Sequence, residues 1–195
     1  MARFDRWAAS YDESSLQRRV FDPVHQAMLD AADLGPGLRV LDLGAGTGKL
    51  TRLAAARAGE ATGIDPAPSM VERAAVASEG HAVRFLCATA EALPFDDGSF
   101  DRALASMTVH HWADPEEGVA EVSRVLRPGG RLVVAEMLAP APIHAVLRAL
   151  GRPHAGLAPD EMASILRRAG FATVQTRPSP VSRWLPLYRA DTAAA

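Results

Sequence analysis

Glycines alternate with other residues directly after a short apolar segment that carries one acidic side chain. Gly44, Gly46 and Gly48 follow residues 40–43, in which Asp42 is the only charged residue. Glycine is favoured where the backbone takes a positive φ or approaches a ligand without a Cβ in the way. A helix that begins after such a turn directs free N–H groups toward that ligand. The pattern therefore predicts a ligand site at the end of a first strand, where Asp42 can face an ammonium group.

The spacing of these glycines bears on which ligand binds. A dinucleotide turn follows Gly-x-Gly-x-x-Gly, which counted from Gly44 would place a third glycine at position 49, where the sequence has Lys49. The turn also lacks the phosphate-loop pattern, in which Gly-Lys-Ser/Thr follows four intervening residues. Alternating glycines after an acidic strand residue suit a zwitterionic amino-acid group better than a pyrophosphate. A nicotinamide dehydrogenase is therefore disfavoured and stays open as the weaker alternative.

A second acidic residue follows the next apolar segment. Asp65 comes directly after Ile64 and lies 21 residues beyond Gly44, close to the ~20 residues at which an acidic side chain binds ribose hydroxyls in dinucleotide-binding folds. Charge-assisted hydrogen bonds to such a diol contribute on the order of 1.5–3 kcal/mol each. Nicotinamide and adenosyl cofactors both contain a ribose, so Asp65 does not choose between them.

Short apolar segments alternate with longer segments of helical periodicity. Strands are predicted at residues 38–43, 61–64, 83–87, 102–106 and 132–135, and helices at residues 50–57, 69–78 and 115–126. Parallel strands need such crossover helices, which cover both faces of a sheet. Two late segments, residues 171–176 and 183–188, are predicted to close the sheet as an antiparallel hairpin. We therefore predict an α/β fold with a doubly wound, mainly parallel, seven-stranded sheet and helices on both faces.

The flanking segments are predicted to cover this sheet. Residues 16–32 form an amphipathic helix that we expect at the sheet edge, and residues 159–168 form a further helix that ends at Gly170. Residues 139–156 either line an apolar acceptor pocket or form an amphipathic helix. Without repeats or low-complexity linkers, the chain is predicted to be one domain, residues 1–195, with an arm and helix at 1–35, a cofactor-binding core at 36–136 and a short cap with closing strands at 137–195.

The composition argues against several classes of partner. The chain has 21 basic and 23 acidic side chains and a formal net charge of −2, so it lacks the overall basic field that holds a nucleic-acid backbone. Its sequence shows no uninterrupted run near the ~20 apolar residues of a membrane span. The single cysteine, Cys87, indicates a reducing compartment, and we expect it to be buried as a small hydrophobe. We predict a cytoplasmic location and no nucleic-acid partner, membrane partner or metal.

Five motifs in a fixed order resemble one enzyme family. They are FDRWA at residues 4–8 with Tyr11-Asp12, the turn at residues 40–48, AEALPFDDGSFD at residues 90–101, HHW at residues 110–112 and EVSRVLRPGGRL at residues 121–132. Together they make nearly the whole chain similar to class I S-adenosylmethionine-dependent methyltransferases, in the branch that includes ubiquinone and menaquinone C-methyltransferases. The resemblance implies a Rossmann-like methyltransferase fold, S-adenosyl-L-methionine as cofactor, S-adenosyl-L-homocysteine as product and a small-molecule methyl acceptor.

The resemblance also implies where this cofactor binds. The glycine turn would line the methionine group, Asp65 the ribose, and the segment after the third strand the adenine. Thr89 stands where the family usually has an aspartate, and its hydroxyl can accept one hydrogen bond from the adenine amino group without adding charge. We therefore expect the Ala90 backbone and the side chains of Ile64 and Leu93 to help hold the adenine. The predicted cofactor-binding residues are Asp42, Gly44, Ala45, Gly46, Gly48, Asp65, Pro66, Thr89, Ala90, Glu91 and Ser106.

Two histidines in tandem follow the predicted fourth strand. His110 and His111 are candidates for a general base, since imidazole titrates near neutral pH. The resemblance places Tyr11 in a segment that folds across the cofactor, so Tyr11 is a third candidate. Structural packing is the alternative for all three, because methyl transfer from a sulfonium depends chiefly on holding donor and acceptor in line. The alternative function is that of a non-catalytic S-adenosylmethionine-binding protein, which Thr89 and the short cap keep open.

Overall fold

A seven-stranded sheet forms the centre of the protein, whose computed structural model describes residues 17–137, 149 and 159–194. The strands are β1 (Arg39–Leu43), β2 (Glu60–Asp65), β3 (Val83–Cys87), β4 (Phe100–Ser106), β5 (Leu126–Ala135), β6 (Thr173–Arg177) and β7 (Leu187–Asp191). Their order is β3-β2-β1-β4-β5-β7-β6. The first five strands pair in parallel, and β7 runs antiparallel to both β5 and β6. The predicted mainly parallel sheet with a closing antiparallel pair is confirmed.

Helices cover both faces of this sheet. They are α1 (Asp22–Ala32), which follows a π-helical segment (Gln17–Phe21), α2 (Lys49–Ala58), α3 (Pro68–Ala77), α4 (Pro115–Val125) and α5 (Pro159–Arg168). Apolar residues of α1 and α2 pack with Val40 and Leu104 in one core, whereas those of α4 and α5 pack with Leu41 and Ala103 in the other. Neighbouring strand residues point to opposite faces, which is why β1 and β4 each contribute to both cores. The doubly wound arrangement is therefore confirmed.

Helix α1 lies across the middle of the sheet and not at its edge, which corrects the prediction. It contacts β4, β5 and β7, and Val24, Met28 and Leu29 are at most 1 % exposed. Arg102 in β4 donates from Nε to the Ala32 carbonyl oxygen at the end of the helix, at 2.7 Å. The periodicity of the helix indicates that it has an apolar face. The order of the strands decides against which strands this face packs.

Two strands differ from their predicted bounds by more than two residues. β5 begins earlier than predicted, because Leu126 pairs with Phe100 ahead of a shift in the sheet register. β7 begins later, because a turn precedes it in which the Ser179 hydroxyl accepts a hydrogen bond from the Ser182 backbone N–H at 3.2 Å. Both differences arise from pairing or turn contacts that periodicity does not reveal.

Cys87 is exposed, which contradicts the predicted burial. It ends β3, a strand at the edge of the sheet, and its Sγ lies 3.6 Å from the Pro66 carbonyl oxygen. Alternate side chains of an edge strand can point into solvent even when their types are apolar. The apolar character of the strand therefore did not decide the burial of each residue in it.

Some predicted features lie outside the described residues. They include Tyr11, the N-terminal arm and, apart from Ala149, residues 139–156. In the ranges that the structure does describe, no helix is long and apolar enough to cross a membrane. Within the same ranges, no three histidine, cysteine, aspartate or glutamate side chains converge so that they could hold a metal ion.

Candidate functional site

The glycine turn joins β1 to α2, and its glycines meet different requirements. Gly44, Gly46 and Gly48 have φ values of +65°, +55° and +78°. A Cβ on Gly44 would lie 2.1 Å from the Thr108 Oγ1, whereas a Cβ on Gly46 would meet no atom within 4 Å. A Cβ on Gly48 would lie 2.6 Å from the Phe85 ring. Gly44 and Gly48 therefore allow close packing inside the protein, and Gly46 borders open space that a ligand can occupy.

Asp65 connects the glycine turn to the end of β2. Its Oδ2 accepts a hydrogen bond from the Gly46 N–H at 2.9 Å, and its Oδ1 accepts one from the Ala67 N–H at 2.9 Å. Burial raises the pKa of Asp65, and the two backbone hydrogen bonds oppose that rise. A carboxylate has about four lone-pair sites, so each oxygen retains capacity for another donor such as a ribose hydroxyl.

Asp42 is the buried acidic residue of the site. It is 1 % exposed, and its Oδ2 accepts a hydrogen bond from the Thr51 hydroxyl at 2.6 Å. Burial raises its pKa to about 7, and the charge of Asp65 adds to that rise against the hydrogen bond from Thr51. A strongly shifted carboxyl group in a cavity wall is typical of a functional site.

A cavity lies between the glycine turn, α1 and the end of β4. Residues predicted to bind the cofactor supply half of its lining, and the remainder come from the end of the π-helical segment, α1, the turn and α2. The lining residues are Asp42, Gly44, Ala45, Gly46 and Ser106, together with Phe21, His25, Thr47, Lys49 and Leu50. Phe21 and His25 were missed because nothing in the sequence shows that α1 reaches the glycine turn. Thr47, Lys49 and Leu50 were also missed, although they lie within or directly after the predicted turn.

Ser106 brings a polar group into the wall of this cavity. Its Oγ is buried and has no hydrogen-bond partner among the described residues. A buried hydroxyl without a partner costs about 1–3 kcal/mol. A polar ligand in the cavity would recover that cost by bonding to it.

His110 and His111 occupy a short 3₁₀ turn (Val109–His111) that follows β4. His110 Nδ1 lies 2.6 Å from Oε1 of Glu136, whose side chain is fully buried whereas that of His110 is 14 % exposed. Glu136 Oε1 also accepts from the Met137 N–H at 2.8 Å, and its Oε2 accepts from the His110 N–H at 3.3 Å. His111 is exposed, and its ring centroid lies 3.9 Å from that of His110. The two candidates therefore differ in their surroundings. Glu136 orients the ring of His110, whereas His111 is exposed to solvent.

The sequence analysis missed Glu136 as the partner of His110. The signal that could have revealed it is an acidic residue directly after the four apolar residues that end β5. A fully buried carboxylate needs a partner, but the sequence does not show which side chain that is.

His110, His111 and Gly48 do not line the cavity, and the remaining predicted residues lie at or after the ends of β2 and β3, also outside it. Thr89 is exposed, and Ala90 is buried in one core with Ile64 and Leu93. Pro66 follows Asp65. The Glu91 Oε1 accepts hydrogen bonds from the backbone N–H groups of Ala113 and Asp114, at 2.7 and 3.2 Å, and so holds the turn before α4.

Comparison with known proteins gives consistent similarities. A family model described as "Methyltransferase domain" matches residues 41–134. The demethylmenaquinone methyltransferase of Clavibacter sepedonicus is 31% identical over an alignment of 206 positions. The alignment covers 90% of this chain and 83% of that protein. An uncharacterized methyltransferase of Mycobacterium tuberculosis is 48% identical over 96 residues, 48% of this chain and 37% of that protein.

A solved structure shows the same fold. The S-adenosylmethionine-dependent methyltransferase of Aquifex aeolicus matches with a TM-score of 0.78 and 21% identity, over 97% of this chain and 98% of that chain. The chain spans about a third to a half of the length of the first curated relatives that it matches.

Proposed function

The chain belongs to the family of S-adenosylmethionine-dependent methyltransferases, and from this premise we propose that it transfers a methyl group from S-adenosylmethionine to a small-molecule acceptor. The cavity beside the glycine turn carries the proposal. It combines the carboxyl group of Asp42, the ammonium group of Lys49 and the buried hydroxyl of Ser106 with open space at Gly46. A zwitterionic amino-acid group requires charges of both signs and hydrogen-bonding groups at close range.

The residues present fit the methyl donor. Asp42 would face its ammonium group, the Ser106 hydroxyl would gain the partner that it lacks within the described chain, and Asp65 would accept from the ribose hydroxyls. Ala90 and Leu93 would lie on the adenine side. When bound, S-adenosylmethionine supplies a methyl group on a positively charged sulfur, which needs no further activation. The task of the protein is to orient donor and acceptor, and such orientation contributes about 7–11 kcal/mol.

We assign removal of the acceptor's proton to His110. A carboxylate such as Glu136 that accepts from the Nδ1–H of a histidine fixes the tautomer whose lone pair is on Nε2. Nε2 of His110 would accept the proton that the acceptor loses as its oxygen or carbon takes the methyl group, and the donor's sulfur would leave as a neutral thioether. The resulting imidazolium is then stabilised by the buried charge of Glu136.

This assignment favours acceptors that must lose a proton, such as phenols, hydroquinones, enols and carbon acids. The Clavibacter sepedonicus relative is named for demethylmenaquinone, which supports the reduced quinone type as the first acceptor to test. Neutral amines attack through a lone pair and depend less on a base, so they form the natural comparison class.

Calorimetric titration with S-adenosylhomocysteine and, separately, with NADH tests the choice of cofactor. We expect S-adenosylhomocysteine to bind and NADH to give no heat. Asp65→Ala should weaken the binding by at least about tenfold, because two charge-assisted hydrogen bonds to the ribose are lost. Binding of NADH alone would refute the proposed cofactor.

Turnover of S-adenosylmethionine with an isotopically labelled methyl group tests the activity. The panel contains phenols, hydroquinones and amines, and we expect label in the first two classes. Binding of the cofactor without transfer to any member of the panel would instead support the non-catalytic alternative.

A further inference from the structure

Lys49 is the only lysine in the sequence and lies in the wall of the cavity. It is the first residue of α2, directly after the glycine turn. Its Nζ lies 2.5 Å from Oδ1 of Asp22, the first residue of α1. The side chains are 28 % and 38 % exposed, respectively. This ion pair therefore joins the two helices whose first turns meet beside the cavity.

The charges of the cavity match an amino-acid group in two places. Asp42 is its acidic lining residue, and Lys49 supplies the only lysine or arginine side chain among the described lining residues. The lysine ammonium has three donors. Lys49 can therefore keep its bond to Asp22 and still donate to a second carboxylate in the cavity.

We propose that Lys49 recognises the carboxylate of the methyl donor's amino-acid end, and that Asp22 acts as a positioning residue which holds the Lys49 ammonium at the cavity. This inference rests on the proposed function and extends it, since backbone N–H groups of the turn could otherwise hold that carboxylate alone. It also makes α1 part of the donor site, because Asp22 begins that helix.

The test compares two ligands that differ only in the carboxylate. They are S-adenosylmethionine and its decarboxylated form, which keeps the sulfonium, the ribose, the adenine and the ammonium group. The variant is Lys49→Met, which retains the apolar stem of the side chain and removes the charge. For this variant we expect the Kd of S-adenosylmethionine to rise about tenfold and the Kd of the decarboxylated ligand to stay the same, both measured by calorimetry.

A matched control removes another ion pair between the same helices. Arg57 in α2 bonds to Asp30 in α1 at 2.7 Å, and neither residue lines the cavity. Arg57→Met should leave the affinity for both ligands unchanged. Thermal unfolding of both variants verifies that they fold.

A second readout follows the lysine itself. Labelling with ¹⁵N-lysine gives a single side-chain ammonium signal, since the sequence has one lysine. We expect S-adenosylmethionine to shift that signal and the decarboxylated ligand to leave it near its free position.

The outcomes separate this inference from the proposed function. If Lys49→Met weakens both ligands equally, or no more than Arg57→Met does, Lys49 serves only to pack the helices and the inference is wrong. If Lys49→Met leaves the affinity for S-adenosylmethionine unchanged, the inference is wrong while the methyltransferase function stands. If the wild-type protein binds neither ligand, both fail.

Discussion

At the scale of single residues, Asp42 sets the expected pH dependence of stability. Burial raises its pKa to about 7 in the folded protein, whereas an unfolded aspartate titrates near ~3.9. The folded state therefore holds this proton more tightly. The contribution of protonated Asp42 to the stability of the fold is fully present below the pKa of the unfolded state. It is lost as the pH rises through about 7.

Asp42→Asn should remove this contribution. Each unit of pKa shift corresponds to about 1.4 kcal/mol, so between about pH 4 and pH 7.5 the wild type should lose a few kcal/mol more stability than the variant. The asparagine Oδ1 can still accept from the Thr51 hydroxyl. Urea unfolding of both proteins at several pH values measures the difference. Parallel curves would show that Asp42 ionises normally in the folded state.

Gly44 and Gly46 should respond differently to alanine. Gly44→Ala places a Cβ 2.1 Å from the Thr108 Oγ1 at a φ of +65°, so overpacking and backbone strain should together cost about 3 kcal/mol. Gly46→Ala meets open space at a φ of +55° and should cost about 1 kcal/mol, while weakening the binding of S-adenosylhomocysteine. Chemical unfolding and calorimetry give the two quantities. Equal stability losses would contradict the contact with Thr108.

At the scale of elements, the end of β5 and the turn after β4 meet through Glu136 and His110. If His110 is the base, His110→Gln should lower kcat for phenol or hydroquinone acceptors by on the order of 100-fold, with little change in KM. His111 is exposed, so His111→Gln is the matched control and should change kcat by no more than about twofold. The kinetics are measured with one acceptor of each class. Similar losses in the two variants, or an equal loss with amine acceptors, would assign His110 a structural role.

Arg124 links α4 to the loop that precedes β4 through hydrogen bonds. Its guanidinium donates to Glu121 at 2.7 Å, to Asp97 at 2.8 Å and to the Phe95 carbonyl oxygen at 2.8 Å. Because the side chain is one-third exposed, solvent screens part of these interactions. The network therefore positions the loop that includes Leu93, whose N–H donates to Glu121 at 3.1 Å.

Arg124→Ala should lower the free energy of unfolding by about 1–2 kcal/mol, since several charge-assisted hydrogen bonds are lost together. Arg168 forms one exposed ion pair with Glu116 at 2.8 Å, so Arg168→Ala should cost less than about 0.5 kcal/mol. Denaturant unfolding compares the variants. A loss for Arg124→Ala no larger than for Arg168→Ala would show that the network contributes little.

At the scale of the whole molecule, α1 joins the sheet to the cavity. Met28 is fully buried where α1 crosses the central strands, and Phe21 and His25 line the cavity at the start of the helix. The same helix therefore contacts both the sheet and the cavity.

Met28→Ala should cost about 2–5 kcal/mol, because it leaves a cavity between helix and sheet. Gln26→Ala, at an exposed position of the same helix, should cost no more than about 0.5 kcal/mol. Unfolding by urea distinguishes them. Equal and small costs would show that α1 does not pack on the sheet.

Local patterns in the sequence determined the alternation of strands and helices, because periodicity and turn residues act within a few positions. They also placed the glycine turn and Asp65, since the turn directly follows β1 and Asp65 ends β2. The exposed Cys87 shows the limit of this reasoning, because burial on an edge strand depends on what packs beside it.

Only the tertiary structure decided which side chains meet. His110 and Glu136 are 26 positions apart, and Asp22 and Lys49 are 27 apart. These pairs form because the order and register of the strands bring the end of β4 beside that of β5 and lay α1 across the central strands. Side-chain pairing over such separations depends on the assembled sheet, whereas the elements themselves depend on short-range sequence.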